Sequence, residues 1–180
     1  MESKNSSTKW SLIITSIVVI AIFSMIVSFA TKKSSSVVEN KAGIPASYYT
    51  NIVKDTQDNQ DFRRVLFTGL NSQLVVMSIP PGTDVGEEVH KYAEQTLFFL
   101  SGTGEGELNG SKFPIGPGDV VVVVPGTDHN FWNTGTEPMK IYTVYAPPNH
   151  IDGRVHVTKA DADADTADEA VGESAPVCIR

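Results

Sequence analysis

The segment Gly118-Asp119-Val120-Val121-Val122-Val123-Val124-Pro125-Gly126-Thr127-Asp128-His129-Asn130-Phe131-Trp132-Asn133 reads as strand, tight turn and second strand. Val120 to Val124 is an unbroken β-branched run, the composition of an extended, pleated segment. Pro125-Gly126 ends it, because proline withholds a ladder donor and glycine admits positive φ. His129 then opens the next strand. Upstream, Gly86-Glu87-Glu88-Val89-His90-Lys91-Tyr92-Ala93-Glu94-Gln95 carries a carboxylate and an imidazole two residues apart, and a carboxamide five residues later. Side chains two apart on a strand share a face, so Glu88 and His90 point together. With His129 in the same cavity, two nitrogens and one or two oxygens converge. Such a set suits a divalent first-row metal with open coordination positions.

Outward from these stretches, residues 61–148 read as all-β. Runs rich in Val, Ile, Phe and Tyr predict strands at Arg64–Phe67, Gln73–Ile79, Val85–His90, Gln95–Ser101, Gly106–Leu108, Lys112–Ile115, Val120–Val124, His129–Asn133 and Met139–Tyr145. Asn109-Gly110 is the strongest hairpin signal among the turns between them. Many short strands of this kind build a sandwich or small barrel. Val120–Val124 is apolar on both faces, which asks for cover from a second sheet or subunit as well as from the core.

The ends differ in character. Ser11 to Ala30 is apolar and uncharged, long enough for a helix to cross a bilayer core of roughly 30 Å. Lys9 and Trp10 before it and Lys32 and Lys33 after it are interfacial anchors. The reading is a polar segment (1–10), a single transmembrane helix (11–31) and a juxtamembrane linker (32–60); the rival is a secretory signal cleaved near Ala30. Lysines flank both ends, so orientation is left open. Residues 149–180 read as an acidic, solvated tail, with six acids between Asp161 and Glu173. His150 and His156 fall in a loop there and are not counted as ligands. The net charge of −7 and the lack of a basic cluster argue against nucleic acid as partner. The lone Cys178 excludes an intrachain disulfide.

Gly86–Gly102 and Gly118–Asn133 together resemble the two conserved motifs of the cupin superfamily. In the second motif Gly118, Gly126, His129 and Asn133 hold the family's glycine, glycine, histidine and asparagine places, with the proline displaced by one to Pro125. In the first, counting back from Gly102 puts Gln95 at the glutamate position and His90 at the second histidine position; Glu88 fills the place of the first histidine. Fifteen residues separate the two motifs, a short gap typical of small single-domain bacterial cupins. The likeness runs from about Asn51 to Ala162. It implies a double-stranded β-helix, or jelly-roll barrel, with one divalent metal (Fe, Mn or Zn) on Glu88, His90 and His129, and Gln95 assisting as a weaker, neutral ligand. It also makes a homodimer a candidate, in keeping with the doubly apolar Val120–Val124.

Leu97 and Phe99 are in phase with Gln95, and Phe131 is in phase with His129; with Tyr145 they are expected to line an apolar pocket for a small organic ligand. On the last strand Met139, Ile141, Thr143 and Tyr145 face in and Lys140 faces water. No acid–base pair is visible outside the metal shell. A metal-dependent oxygenase or isomerase, a non-catalytic small-molecule binding module, and a structural barrel with a vestigial site are the three function classes that remain.

Overall fold

The computed structural model describes residues 35–39 and 45–174, with side chains from Ser47 onward. The apolar run read as a membrane anchor lies outside the described residues. Among the described residues no helix is long and apolar enough to cross a membrane.

The described residues form twelve strands and three short helices: β1 (Ser35–Glu39), β2 (Pro45–Thr50), α1 (Ile52–Asp58), β3 (Arg63–Thr68), β4 (Gln73–Ile79), β5 (Glu88–Val89), β6 (Glu94–Ser101), β7 (Gly104–Leu108), β8 (Ser111–Ile115), β9 (Val120–Val123), β10 (Asp128–Asn133), β11 (Met139–Ala146), β12 (Val155–His156), α2 (Lys159–Ala164) and α3 (Thr166–Gly172). Two antiparallel sheets, ordered β12-β3-β4-β11-β6-β9 and β5-β10-β7-β8, share one core, and β1 pairs with β2 alone. Alternate residues supply that core: Val75, Met77 and Ile79 from β4, Leu97 and Phe99 from β6, Ile115 from β8, Phe131 from β10, and Met139, Ile141 and Tyr145 from β11. This is the all-β jelly-roll architecture expected. Asn109 and Gly110 both take positive φ (47° and 79°), as the two-residue hairpin turn between β7 and β8 requires.

Four local expectations need correction. The stretch taken as linker contains β1, β2 and α1. Asn51 caps α1, its side chain accepting the Lys54 N–H at 3.1 Å. The helix lies against β4, β6 and β11, and so covers the outer face on which strand alternation places Lys140. Lys140 is consequently buried, not solvated. Its Nζ donates to the Asn59 carbonyl and, at 2.9 Å, to Ser78 Oγ, with burial lowering the ammonium pKa. On β9 the outcome is reversed: Val121 and Val123 are buried, whereas Val120, Val122 and Val124 remain about half exposed along a sheet edge.

The acidic tail is the fourth correction, for its described part, 149–174, is folded. Its aspartates are committed residues. Asp161 and Thr158 form a reciprocal capping box on α2, and Asp165 caps α3 by accepting the Asp168 N–H at 3.2 Å. Asp165 also meets His156 and Arg154, each at 3.0 Å. Composition alone gives a solvated tract; specific caps and ion pairs tie this one to the barrel.

Candidate metal centre and adjoining cavity

Strand register assembles the centre. Glu88 on β5 pairs directly with His129 on β10, which sets both side chains on one face. Asn130 holds β5's approach in place: its carboxamide donates to Asp84 at 2.8 Å and accepts the Gly86 N–H at 3.1 Å. His90 follows just past β5, where its carbonyl accepts the Gly126 N–H at 2.8 Å. Gly126 has a φ of +83° there, so the Pro-Gly turn both reverses the chain and clamps His90 beside His129. Asn133 closes the same strand by donating to the carbonyls of Ile79 and Glu137, both at 2.8 Å. Its motif position is structural.

Ligand atoms of Glu88, His90 and His129 all lie within 4.8 Å of one another. The imidazole centroids are 5.0 Å apart, and His90 Nε2 is 3.4 Å from Glu88 Oε2. Two donors sharing one ion at tetrahedral angles would stand about 3.4 Å apart for bonds of ~2.1 Å. His129 Nδ1 donates to its neighbour's carbonyl, Thr127 O, at 2.9 Å, which leaves the Nε2 lone pair free. That Nε2 and Glu88 Oε2 are both buried with no hydrogen-bond partner. Leaving such groups unpaired costs on the order of 1–3 kcal/mol each, and a dication satisfies both at once. Burial lowers the His90 pKa, against the pull of the Glu88 carboxylate and with help from His129, which favours the neutral His90 ring that a metal needs. The donor set fits a divalent metal.

Gln95, 1% exposed, holds its carboxamide oxygen 3.2 Å from His90 Nε2 and donates to Tyr145 OH at 2.8 Å. It abuts the centre and joins it to Tyr145, whose phenol pKa is raised by burial. The cavity beside the centre has a volume of about 420 Å³. Glu88 and His90 form part of its wall together with their chain neighbours from Val85 onward, and Phe62, Arg63, Asn149, His150 and the α2–α3 segment complete it. Leu97, Phe99, Phe131 and Tyr145, expected to line a pocket, do not line this cavity; they are closed into the core behind it. The lid that redirects the opening is the segment read as a solvated tail.

That lid brings a second polar cluster, invisible in the sequence. His150 Nδ1 meets Asp168 Oδ2 at 2.8 Å, and Asp168 Oδ1 accepts the Ile151 N–H at 2.7 Å. Arg63 spans the two clusters, 3.4 Å from Asp168 and 3.8 Å from Glu88. Burial alone would raise the Asp168 pKa; the His150 hydrogen bond, the Ile151 N–H and Arg63 more than offset it and hold the carboxyl at about 2. The partners are 18 residues apart, with no motif spacing. An aspartate inside a low-complexity tract gives no signal of its own burial.

Residues 75–145 match the family of the Cupin domain. Over 124 residues, 66% of this chain and 67% of the relative, it is 42% identical to the uncharacterized protein YrkC of Bacillus subtilis. The crystal structure of BH2720 from Bacillus halodurans superposes with a TM-score of 0.64 at 36% identity, covering 71% of this chain and 99% of that one. The chain belongs to the cupin superfamily. A shorter likeness, 34% identity over 68 residues, links this cupin to an oxalate-binding protein of Thermotoga maritima; it covers 38% of this chain and 56% of that protein.

Proposed function

We propose that this cupin binds one divalent first-row metal through Glu88, His90 and His129 and holds a small oxygenated organic molecule in the adjoining cavity. The carrying observation is the pair of buried, partnerless donors, His129 Nε2 and Glu88 Oε2, facing His90 Nε2. When bound, the metal supplies Lewis acidity toward a ligand oxygen. Glu88 contributes the one anionic donor, His90 and His129 the neutral ones. Gln95, its oxygen 3.2 Å from His90 Nε2, assists as a neutral donor beside the ion and is itself fixed by Tyr145. Arg63 screens Glu88 from Asp168, so that the two carboxylates can share one wall.

The test is the metal content, by plasma mass spectrometry, of protein purified without chelator or affinity metal. About one equivalent of iron, manganese or zinc per chain is expected; no metal, even after reconstitution, would remove the reading. The same site supports either chemistry or binding without turnover, and the oxalate-binding relative favours the second for at least one distant member. The apolar run 11–30 supports a membrane tether for the barrel. Recovery of the full chain in the alkali-washed membrane pellet is expected, and its release into the supernatant would overturn the tether.

A further inference from the structure

A third buried atom without a partner lies near the two that face the metal position. His150 is 6% exposed and lines the cavity. Its Nδ1 is engaged with Asp168 at 2.8 Å, and Asp168 is ionised, so Nδ1 carries the proton and donates it. Nε2, on the opposite edge of the ring, is then a lone-pair acceptor, buried and unpaired. The Tyr145 ring packs perpendicular to the imidazole, with centroids 4.9 Å apart, and fixes its plane. Among the described residues the group of converging metal donors comprises Glu88, His90 and His129, without His150. This nitrogen therefore asks for a hydrogen, where the other two orphaned atoms ask for a cation.

The charge of the wall narrows the donor further. Six carboxylates line the cavity against two cations, Arg63 and Lys159. Arg63 is engaged by Glu88 and Asp168, and Lys159 by Asp163 at 2.9 Å. Glu87, Glu169 and Glu173 have no cationic partner among the described residues. Even a bound dication would leave the wall net negative. A dicarboxylate would enter against that field, whereas an uncharged molecule would not.

We infer that His150, oriented by Asp168, accepts a hydroxyl hydrogen of an uncharged polyhydroxy ligand held in this cavity. The inference rests on reading the cavity as a ligand site and gives that ligand its chemical class. His150 acts here as a binding and discriminating residue: a molecule lacking the hydroxyl leaves Nε2 unpaired.

The experiment uses the full chain in nonionic detergent, zinc-loaded and, in parallel, chelated. Erythritol and oxalate are titrated separately while long-range ¹⁵N–¹H spectra follow the His150 ring. The expected result is an unprotonated Nε2 whose resonance moves saturably with erythritol, and tighter binding of erythritol than of oxalate. His150→Phe is expected to lose at least tenfold in erythritol affinity with zinc content unchanged. His150→Gln, which keeps an acceptor, should recover part of that loss, and it serves as the test if the phenylalanine variant does not fold. Preference for oxalate, equal erythritol affinity in His150→Phe, or no binding of either probe would overturn the inference. Erythritol shifting Nε2 in protein that binds no zinc would overturn the metal reading and support this one.

Discussion

Two imidazole–carboxylate clusters share one cavity wall, and they are built oppositely. Glu88, His90 and His129 stand on or beside barrel strands, with donor atoms that converge, two of them, Glu88 Oε2 and His129 Nε2, buried without a partner. His150 and Asp168 belong to the C-terminal lid, where Nδ1 and both carboxylate oxygens are engaged and Nε2 is buried without a partner. Convergent lone pairs without hydrogens are costly unless a cation sits among them. A carboxylate that takes one imidazole proton directs the ring's other nitrogen outward as an acceptor. Similar residue types thus yield a cation site in one case and a hydrogen-accepting site in the other, and the difference lies in what each carboxylate touches.

The largest expected effect separates the clusters outright. His90→Ala with His129→Ala should take metal content from about one equivalent to background, while circular dichroism shows the barrel still folded. Unchanged metal content would erase the distinction. Next in size is Arg63→Ala, which strips a buried cation from between two carboxylates. Breaking such a pair costs about 3–5 kcal/mol, to be read as a lower urea midpoint. A shift below about 1 kcal/mol would show that the lid is held by its caps and packing instead.

Acid should weaken both clusters, by separate routes. Burial lowers the His90 and His150 pKa values in the folded chain. The unfolded chain therefore binds more protons once pH drops below about 6.5, and stability falls with it. Asp168, at about 2 when folded, adds a second loss as pH falls from about 4 toward 2. Melting temperature measured from pH 8 to 3 should decline in those two stages. A flat profile above pH 5 would contradict neutral, buried imidazoles.

How far the sequence foretells these clusters follows from how each is built. Glu88, His90 and His129 sit in strands whose period-two pattern and Pro-Gly turn are local signals, so faces and register can be reasoned out. The strand Gln73–Ile79 coincides with the observed β4 for the same reason. Lys140 shows the limit of such reasoning: alternation places it correctly on the outer face, but the helix covering that face comes from a polar stretch without sustained periodicity. His150 and Asp168 are linked only through tertiary contact, across short helices whose aspartates look like a low-complexity tract. The opening of the cavity beside the centre has a related origin. Leu97, Phe99, Phe131 and Tyr145 have the right phase, but the lid decides where the cavity opens.

Smaller effects sharpen the contrast. Gln95→Ala removes the neutral carboxamide oxygen beside His90 and should weaken metal binding about tenfold; undiminished affinity would mean that Glu88, His90 and His129 suffice. Smallest is Val122→Lys on the exposed face of β9. It should change the stability of the isolated chain by less than about 0.5 kcal/mol. If sedimentation shows a dimer that this substitution dissociates, the half-exposed valines form the cover sought for that strand.

The most direct measurement is X-ray absorption on the zinc-loaded full chain. Two imidazole nitrogens at about 2.0–2.1 Å, completed by oxygen, are predicted for an ion on Glu88, His90 and His129. A shell of oxygen alone, without imidazole scattering, would contradict the account.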